Sequence, residues 1–227
     1  GGNAAEQERL RDTAQRSRIL DELFEKTSAE EIGSTTLLAR LSGEANKHLQ
    51  GLSQAQAADA RGQHVGDALF DLLVEERLDI DAIFFCMDED NLRTVLRQDW
   101  VMVGSDAAVR DSTGPLARDM PHPRAFGSFA RMLEMVRDEK LVPLEEAVKK
   151  ATSVPAARMG FIDRGLLKQG YCADLVLFDA REVRDTATYT KPQCYPIGIR
   201  AVMVNGVWAV RDGVCTQQLS GRLLRKS

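Results

Sequence analysis

Near the middle of the chain, one carboxylate follows a short apolar run in the sequence WVMVGSD, residues 100–106. Residues 100–103 predict a short buried strand, because strands covered on both faces lose polar alternation. Small residues then turn the chain and present Asp106. In parallel α/β folds catalytic groups lie at the carboxyl ends of strands, so Asp106 could bind a metal or move a proton. The alternative is that Asp106 caps the next segment or begins a turn.

The three histidines, His48, His64 and His122, are far apart and form no HxH or HExxH motif. His64 precedes a helix start and is predicted to cap that helix or to lie on the surface. His122 is flanked by prolines that stiffen its backbone, and Arg124 is close by, so both are candidates for contact with a ligand. No GxSxG, P-loop or GxGxxG motif is present, so spacing alone gives no complete active site.

Composition bounds the class of protein. The 227 residues are 44% hydrophobic and 28% charged, which is typical of a soluble globular protein. The net charge of −4 gives no indication of a nucleic-acid surface. No apolar run approaches the roughly 20 residues of a membrane span, and no signal peptide is visible. Four widely spaced cysteines without a CxxC pair predict reduced thiols and a cytoplasmic location.

Helical and strand-like patterns alternate along residues 1–161. Helices are predicted over 4–26, 52–61, 65–78 and 126–139, one opening at Asp88, and one starting at Pro143 with a break at Pro155. In the helix over 52–61, Ser53 is the predicted N-cap and Gly62 the predicted C-terminal stop. Strands are predicted over 33–41, 79–87 and 100–103. This alternation indicates parallel α/β units. The long irregular stretch 107–124 is of a kind that often carries function.

The pattern changes at residue 162, and residues 162–227 are predicted to form a β-rich module. Residues 170–180 are strand-like, and Asn205 and Gly206 separate two alternating apolar runs. An Asn-Gly pair in that setting is a strong signal for a tight β-hairpin. We therefore predict two domains, residues 1–161 and residues 162–227.

Four blocks of the sequence occur together in a recognisable order. They are WVMVGSD, HPRAFGSFARML, LEEAVKKATSVPAARMGFIDRGLLKQGYCADLVLFD and DTATYTKPQCYPIGIRAVMVNG. Together they resemble the C-terminal part of the N-acyl-D-amino-acid deacylases (D-aminoacylases), a branch of the metal-dependent amidohydrolase superfamily. The resemblance covers most of residues 30–227. The GxxADLVLFD block indicates only an amidohydrolase, and the HPRxxGxF and DTATY…YPxGI blocks narrow it to this branch.

The resemblance implies an α/β fold: the C-terminal part of a (β/α)8 TIM-like barrel plus a small C-terminal β-sandwich module. It implies hydrolysis of the amide of N-acyl-D-amino acids by zinc-activated water. Asp106 matches the family aspartate that contacts the metal and takes the proton of the attacking water. Arg124 is then a candidate for the substrate carboxylate, with a structural salt bridge as the alternative, and His122 and Ser105 are further candidates for substrate binding.

The chain also departs from the family pattern. It has no HxH pair, and a TIM barrel needs roughly 250 residues before any added domain. The family sequence GSDG is GSDA here, since Ala107 replaces a flexible glycine. We therefore expect the C-terminal portion of a longer zinc enzyme, inactive alone, with its other zinc ligands outside this chain.

Two alternatives remain open. One is a hydantoinase-like or dihydroorotase-like cyclic amidohydrolase, which shares the terminal aspartate. The other is a non-catalytic truncated fragment that assembles with a partner. A partial barrel exposes sheet edges and apolar helix faces, so assembly with the missing N-terminal part or with further copies is expected. The partners predicted are a small N-acyl amino acid substrate, with no nucleic acid and no membrane.

Overall fold

The structure is a computed structural model, and it describes residues 2–117 and 119–225. The chain divides into two compact units. The first contains the described residues of Gly1–Met87 and Thr113–His122, and the second contains those of Asp88–Ser112 and Pro123–Ser227. No helix in the described part of the chain is long and apolar enough to cross a membrane.

The first unit combines helices with a pair of strands. Its helices are α1 (Gly2–Arg11), α2 (Thr13–Phe24), α3 (Ala29–Thr35), α4 (Gln54–Arg61) and α5 (Val65–Glu75), with 3-10 turns at Glu44–Leu49 and Gly114–Ala117. Its strands are β1 (Thr36–Leu41) and β2 (Ile80–Phe84).

The predicted single helix over residues 4–26 is wrong, because two helices meet at Asp12. The Asp12 carboxylate accepts a hydrogen bond from the Gln15 amide at 2.8 Å and caps α2. Aspartate favours this capping position over a helix interior, because its short side chain competes for backbone amides. The strand predicted over 33–41 likewise starts only at Thr36, because residues 33–35 complete α3.

The predicted N-cap and stop of α4 and the predicted start of α5 are confirmed, but α5 ends at Glu75 and not at Leu78. Ser53 caps α4, and the side chain of Gln56 closes the reciprocal capping box. Gly62 ends α4 in the left-handed conformation, with a φ of 63°. His64 caps α5, since its Nδ1 accepts a hydrogen bond from the Gly66 amide at 3.3 Å.

Strands β1 and β2 pair antiparallel, so the prediction of parallel α/β units is wrong for these strands. An apolar pattern specifies which face of a strand is buried, but it does not specify the direction of the partner strand. Charge pairing favours the observed register, because the Arg40 guanidinium donates to Asp79 at 2.6 Å and to Asp81 at 2.8 Å. Those carboxylates raise the pKa of Arg40 further above its ordinary value.

The core of the first unit lies between β1, α4 and α5. Its buried members are Leu38, Leu41, Leu49, Ala57 and Leu72. Beside it, the end of α5 carries Glu76, whose side chain is almost fully buried. The Glu76 carboxylate accepts hydrogen bonds from the Asn46 amide at 2.8 Å, the Ser42 hydroxyl at 3.0 Å and the Gly43 backbone amide.

The second unit places helices before an antiparallel sheet. Its helices are α6 (Glu89–Leu96), α7 (Arg124–Glu139), α8 (Leu144–Ala151) and α9 (Ser153–Met159). Its strands are β3 (Leu175–Phe178), β4 (Ile199–Val204), β5 (Val207–Arg211) and β6 (Val214–Cys215). The predicted start of α6 is confirmed, because Asp88 caps it through the Asn91 amide at 2.8 Å.

The four C-terminal strands form one sheet in the order β3-β4-β5-β6, with antiparallel neighbours. The predicted hairpin is confirmed: β4 and β5 are joined by Asn205 and Gly206, with φ values of 50° and 81°. Both values are positive, as a tight type I′ turn requires. Several apolar side chains of this sheet are exposed, among them Val176, Leu177 and Trp208.

The hydrogen bonds to the Glu76 carboxylate predict that the first unit loses stability in acid. Burial alone would raise the pKa of Glu76, but its hydrogen-bond donors outweigh burial and hold the pKa below the ordinary value. The resulting stabilisation is complete above the unfolded-state pKa of about 4.3, and it is lost as the pH falls through the lowered folded-state pKa. Glu76→Gln should therefore cost about 1–3 kcal/mol of unfolding free energy at pH 7.

Urea unfolding of the wild type and Glu76→Gln at pH 7 and at pH 3 measures this effect. The difference between the two proteins should shrink at pH 3, which lies below the unfolded-state pKa of about 4.3, because the stabilisation is lost as the pH falls. The matched control is Glu8→Gln, the same chemical change at an exposed position of α1. Equal stability of Glu76→Gln and the wild type at pH 7 would show that the carboxylate does not hold this turn.

Candidate active site

The segment that ends at Asp106 is not a strand, so the prediction of a buried strand over 100–103 is wrong. Trp100 is 76% exposed and Met102 is 38% exposed. A strand forms only where neighbouring backbone completes its hydrogen-bond ladder, and an apolar run cannot supply that neighbour by itself. Residues 101–111 are extended or irregular chain in the structure.

Val103 ties this segment to the helical part of its unit. The Val103 amide donates a hydrogen bond to the carbonyl of Lys150, at the end of α8, at 3.3 Å. The Val103 side chain packs against the apolar cluster between α6, α7 and α8, whose buried members are Leu96, Met132, Met135, Val136, Leu141 and Ala147. Asp106 is therefore three residues from an anchored position.

Asp106 has a left-handed backbone conformation, with a φ of 48°. Aspartate and asparagine adopt this region more readily than other residues that carry a side chain, because their short polar groups bond locally. The Asp106 side chain is 91% exposed. The turn therefore presents the carboxylate to its surroundings instead of burying it.

Arg124 is the partner of Asp106. It is the first residue of α7, and its Nη2 lies 3.2 Å from Asp106 Oδ2. The two residues that the sequence singled out for proton transfer and for carboxylate binding thus lie together. Because the Arg124 side chain is 46% exposed and the Asp106 side chain is 91% exposed, solvent screens this ion pair and it contributes little to stability.

The other two predicted site residues are Ser105 and His122. Ser105 precedes Asp106 directly and is partly buried. His122 is also partly buried, but it belongs to the first compact unit, whereas Asp106 and Arg124 belong to the second. The part of His122 in substrate binding therefore stays a prediction.

Tyr195 is a residue near the site that the sequence reasoning missed. Its hydroxyl donates to Asp111 Oδ1 at 3.2 Å, and its ring meets Phe126 edge-on with centroids 5.6 Å apart. It thereby links the loop after Asp106 to the first turn of α7. Its place in the YPxGI block was the available signal, but no local pattern predicts a partner some eighty residues away.

A close approach explains the glycine of the HPRxxGxF block. A Cβ built on Gly127 would overlap the carboxylate of Asp185, the first residue of the DTATY block. Asp185 is itself held in place, since its Oδ1 accepts the Ala187 amide at 2.9 Å. The two blocks that narrow the resemblance are thus in contact at the start of α7.

A zinc site needs more ligands than this cluster offers. Protein zinc sites use three or four nitrogen, sulfur or oxygen ligands, and the neighbour of the Asp106 carboxylate here is a guanidinium. Within residues 2–117 and 119–225, no group of three or more His, Cys, Asp and Glu side chains could hold a metal ion. The described residues thus supply one candidate ligand and do not complete a zinc site.

Known proteins match most of this chain. The model of the Amidohydrolase family matches residues 10–210. D-aminoacylase of Alcaligenes xylosoxydans xylosoxydans is 39% identical over 180 residues, which are 79% of this chain and 35% of that protein. N-acyl-D-aspartate deacylase of the same organism is 45% identical over 130 residues, 56% of this chain and 25% of that protein.

Solved structures show the same relationship. A D-aminoacylase structure, determined to study the role of its binuclear metal centre, matches with a TM-score of 0.72 and 36% identity. The match covers 86% of this chain and 38% of that one. N-acyl-D-glutamate deacylase of Bordetella bronchiseptica, complexed with zinc and a phosphonate inhibitor, matches with a TM-score of 0.66 and 33% identity over 85% and 39% of the two chains. This chain thus spans about a third of the length of such relatives.

The unfolding free energy of an Arg124 variant tests whether Arg124 is a structural residue. Arg124→Met should change the unfolding free energy by less than about 1 kcal/mol, because solvent screens an exposed ion pair. Arg93→Met is the contrast, since Arg93 is less exposed and pairs with Glu89, Asp90 and Glu139. Urea denaturation of both variants gives the comparison. A larger loss for Arg124→Met than for Arg93→Met would identify Arg124 as a structural residue.

Proposed function

This chain belongs to the amidohydrolase family, and we propose that it is the C-terminal part of a metal-dependent hydrolase of N-acyl-D-amino acids. The observation that carries the proposal is the turn at Asp106. It presents an exposed carboxylate 3.2 Å from a guanidinium, in a chain that resembles deacylases over most of its length. The relatives compared above act on N-acyl-D-amino acids by their names, which favours that substrate class.

In the proposed reaction, Asp106 moves the proton. A water oxygen bonds to the acyl carbon while the Asp106 carboxylate accepts the water's proton. The carbon–nitrogen bond then breaks as Asp106 returns that proton to the leaving nitrogen. The products are a carboxylic acid and a free D-amino acid, and the acid's remaining proton passes to the amino group to give a carboxylate and an ammonium. Atoms and charges therefore balance without an oxidant or a reductant.

Arg124 is the residue that suits the carboxylate of the substrate. A guanidinium offers two parallel N–H donors to a carboxylate, and its position beside Asp106 would bring the amino-acid end of the substrate to the proton-transferring group. Ser105, next to Asp106, and His122 are proposed as further contacts.

Zinc is the proposed metal, as in the Bordetella deacylase structure. When bound, zinc lowers the pKa of its water to about 7. We propose Asp106 as one ligand, with the others supplied by sequence outside this chain. The same missing sequence would complete the barrel and the β-sandwich, covering the exposed apolar side chains of the C-terminal sheet.

We also propose a domain boundary between residues 161 and 162 and a cytoplasmic location. We further propose assembly with the missing part or with further copies. All four cysteines lie in the described residues and are free thiols, which suits the location. The cyclic amidohydrolase and the non-catalytic fragment remain as alternatives, and the assays below separate them.

Substitution of Asp106 tests the proton-transfer role. In the complete polypeptide, Asp106→Asn should lower kcat for N-acetyl-D-amino acids by at least about a hundredfold. Its thermal stability should be unchanged, since asparagine also tolerates the left-handed conformation. The matched control is Asp99→Asn, which removes an exposed carboxylate from the same segment. Full activity of Asp106→Asn would exclude Asp106 as the base, and turnover of hydantoins in place of N-acyl-D-amino acids would favour the cyclic-amide alternative.

Metal analysis tests the proposal that the zinc ligands other than Asp106 lie outside this chain. The 227-residue chain alone should contain close to no zinc after dialysis, whereas the complete polypeptide should retain it, because one carboxylate cannot hold zinc tightly. Elemental analysis of both proteins, prepared in parallel, gives the comparison. Stoichiometric, tightly bound zinc in the 227-residue chain would contradict that proposal.

A further inference from the structure

Lys150, the penultimate residue of α8, is buried although lysine side chains normally lie in solvent. It is 1% exposed, while its chain neighbour Lys149 is exposed and pairs with Glu146 at 3.2 Å. Within residues 2–117 and 119–225, the Lys150 ammonium has no carboxylate at ion-pair distance, and it donates to backbone carbonyls. Burying an ammonium without hydrogen-bond acceptors would be strongly unfavourable, so these carbonyls determine where the Lys150 Nζ lies.

The carbonyls that bind Lys150 belong to the segment before Asp106. Its Nζ donates to the carbonyl of Gln98, and a second carbonyl, that of Val101, lies at 3.5 Å. The backbone of Lys150 acts on the same segment, since its carbonyl accepts the Val103 amide at 3.3 Å. One residue therefore bonds to three points of a six-residue stretch.

These bonds replace a strand partner. Residues 101–106 have no ladder of their own in the structure, so nothing regular holds the backbone between α6 and Asp106. Three residues lead from Val103 to Asp106, and an extended chain covers at most about 3.6 Å per residue. The Asp106 Cα is thus confined to within about 11 Å of the Val103 Cα.

We propose that Lys150 is a positioning residue: it fixes residues 98–103 and thereby the position of the Asp106 carboxylate beside Arg124. The proposal rests on the proposed function for the consequence in catalysis, but the anchoring itself is independent of any activity. Lys150→Met removes the ammonium and keeps a long apolar side chain in the same space. Lys149→Met is the matched control on the exposed face of α8.

Trp100 reports on the anchored segment directly. The chain has two tryptophans, so Trp208→Phe leaves Trp100 as the sole emitter. In that background, Lys150→Met should lower the fluorescence anisotropy of Trp100 and raise amide exchange in residues 98–106, whereas Lys149→Met should change neither. Unchanged anisotropy and exchange in Lys150→Met would overturn the anchoring.

The catalytic consequence is read in the complete polypeptide. Lys150→Met should lower kcat for N-acetyl-D-amino acids by about tenfold or more, because small misplacements of a catalytic group are costly, and should leave KM within about twofold. A loosened Trp100 with an unchanged kcat would overturn the positioning role. A wild type without deacylase activity would refute the proposed function, while the Trp100 readout would still decide the anchoring.

Wild-type protein provides a test that needs no variant to fold. An amine-reactive acetylating reagent should modify Lys149 readily and Lys150 slowly, as mass spectrometry of the peptides would show. The Val103 amide should exchange with solvent at least about tenfold more slowly than the neighbouring amide of Gly104. Equal labelling of the two lysines together with fast exchange at Val103 would refute the anchor.

Discussion

The candidate site depends on how residues 98–103 are held against the apolar cluster between α6, α7 and α8. Leu96, just before the segment, and Val103, at its end, contribute to that cluster. Lys150 bonds to the backbone of the segment. Because the segment has no strand neighbours, these contacts determine where the chain reaches Asp106. Arg124 starts from the same cluster, since α7 supplies Met132, Met135 and Val136 to it. A single packed core thus places both members of the ion pair.

Helix caps and turns could be predicted from the sequence. The capping positions at Ser53, His64 and Asp88, the stop at Gly62 and the Asn205 hairpin depend on neighbours within a few residues, and all were predicted correctly. Contacts between residues far apart in the sequence could not be predicted. The direction of the β1–β2 pair, the buried Lys150 and the Tyr195 bridge each depend on partners about forty or more residues away. An apolar pattern carries no information about such partners.

The same distinction applies to the site. Asp106 and Arg124 were chosen for residue type and for their place in the blocks, and the structure brings them to 3.2 Å. The strand expected to deliver Asp106 is missing, because a strand needs a neighbouring backbone. Apolar side chains of segment 100–103 and of the C-terminal sheet are exposed in a chain that spans about a third of the length of its relatives. Under the proposed function, sequence outside this chain would cover them.

The central claim is that the Asp106 carboxylate serves a metal site completed by sequence outside this chain. Anomalous diffraction at the zinc absorption edge, from crystals of the complete polypeptide grown with zinc, tests it most directly. We expect an Asp106 carboxylate oxygen about 2.0–2.2 Å from a zinc ion whose other ligands lie outside these 227 residues. A zinc ion whose ligand set is complete without Asp106, with that carboxylate still paired to Arg124, would contradict the account.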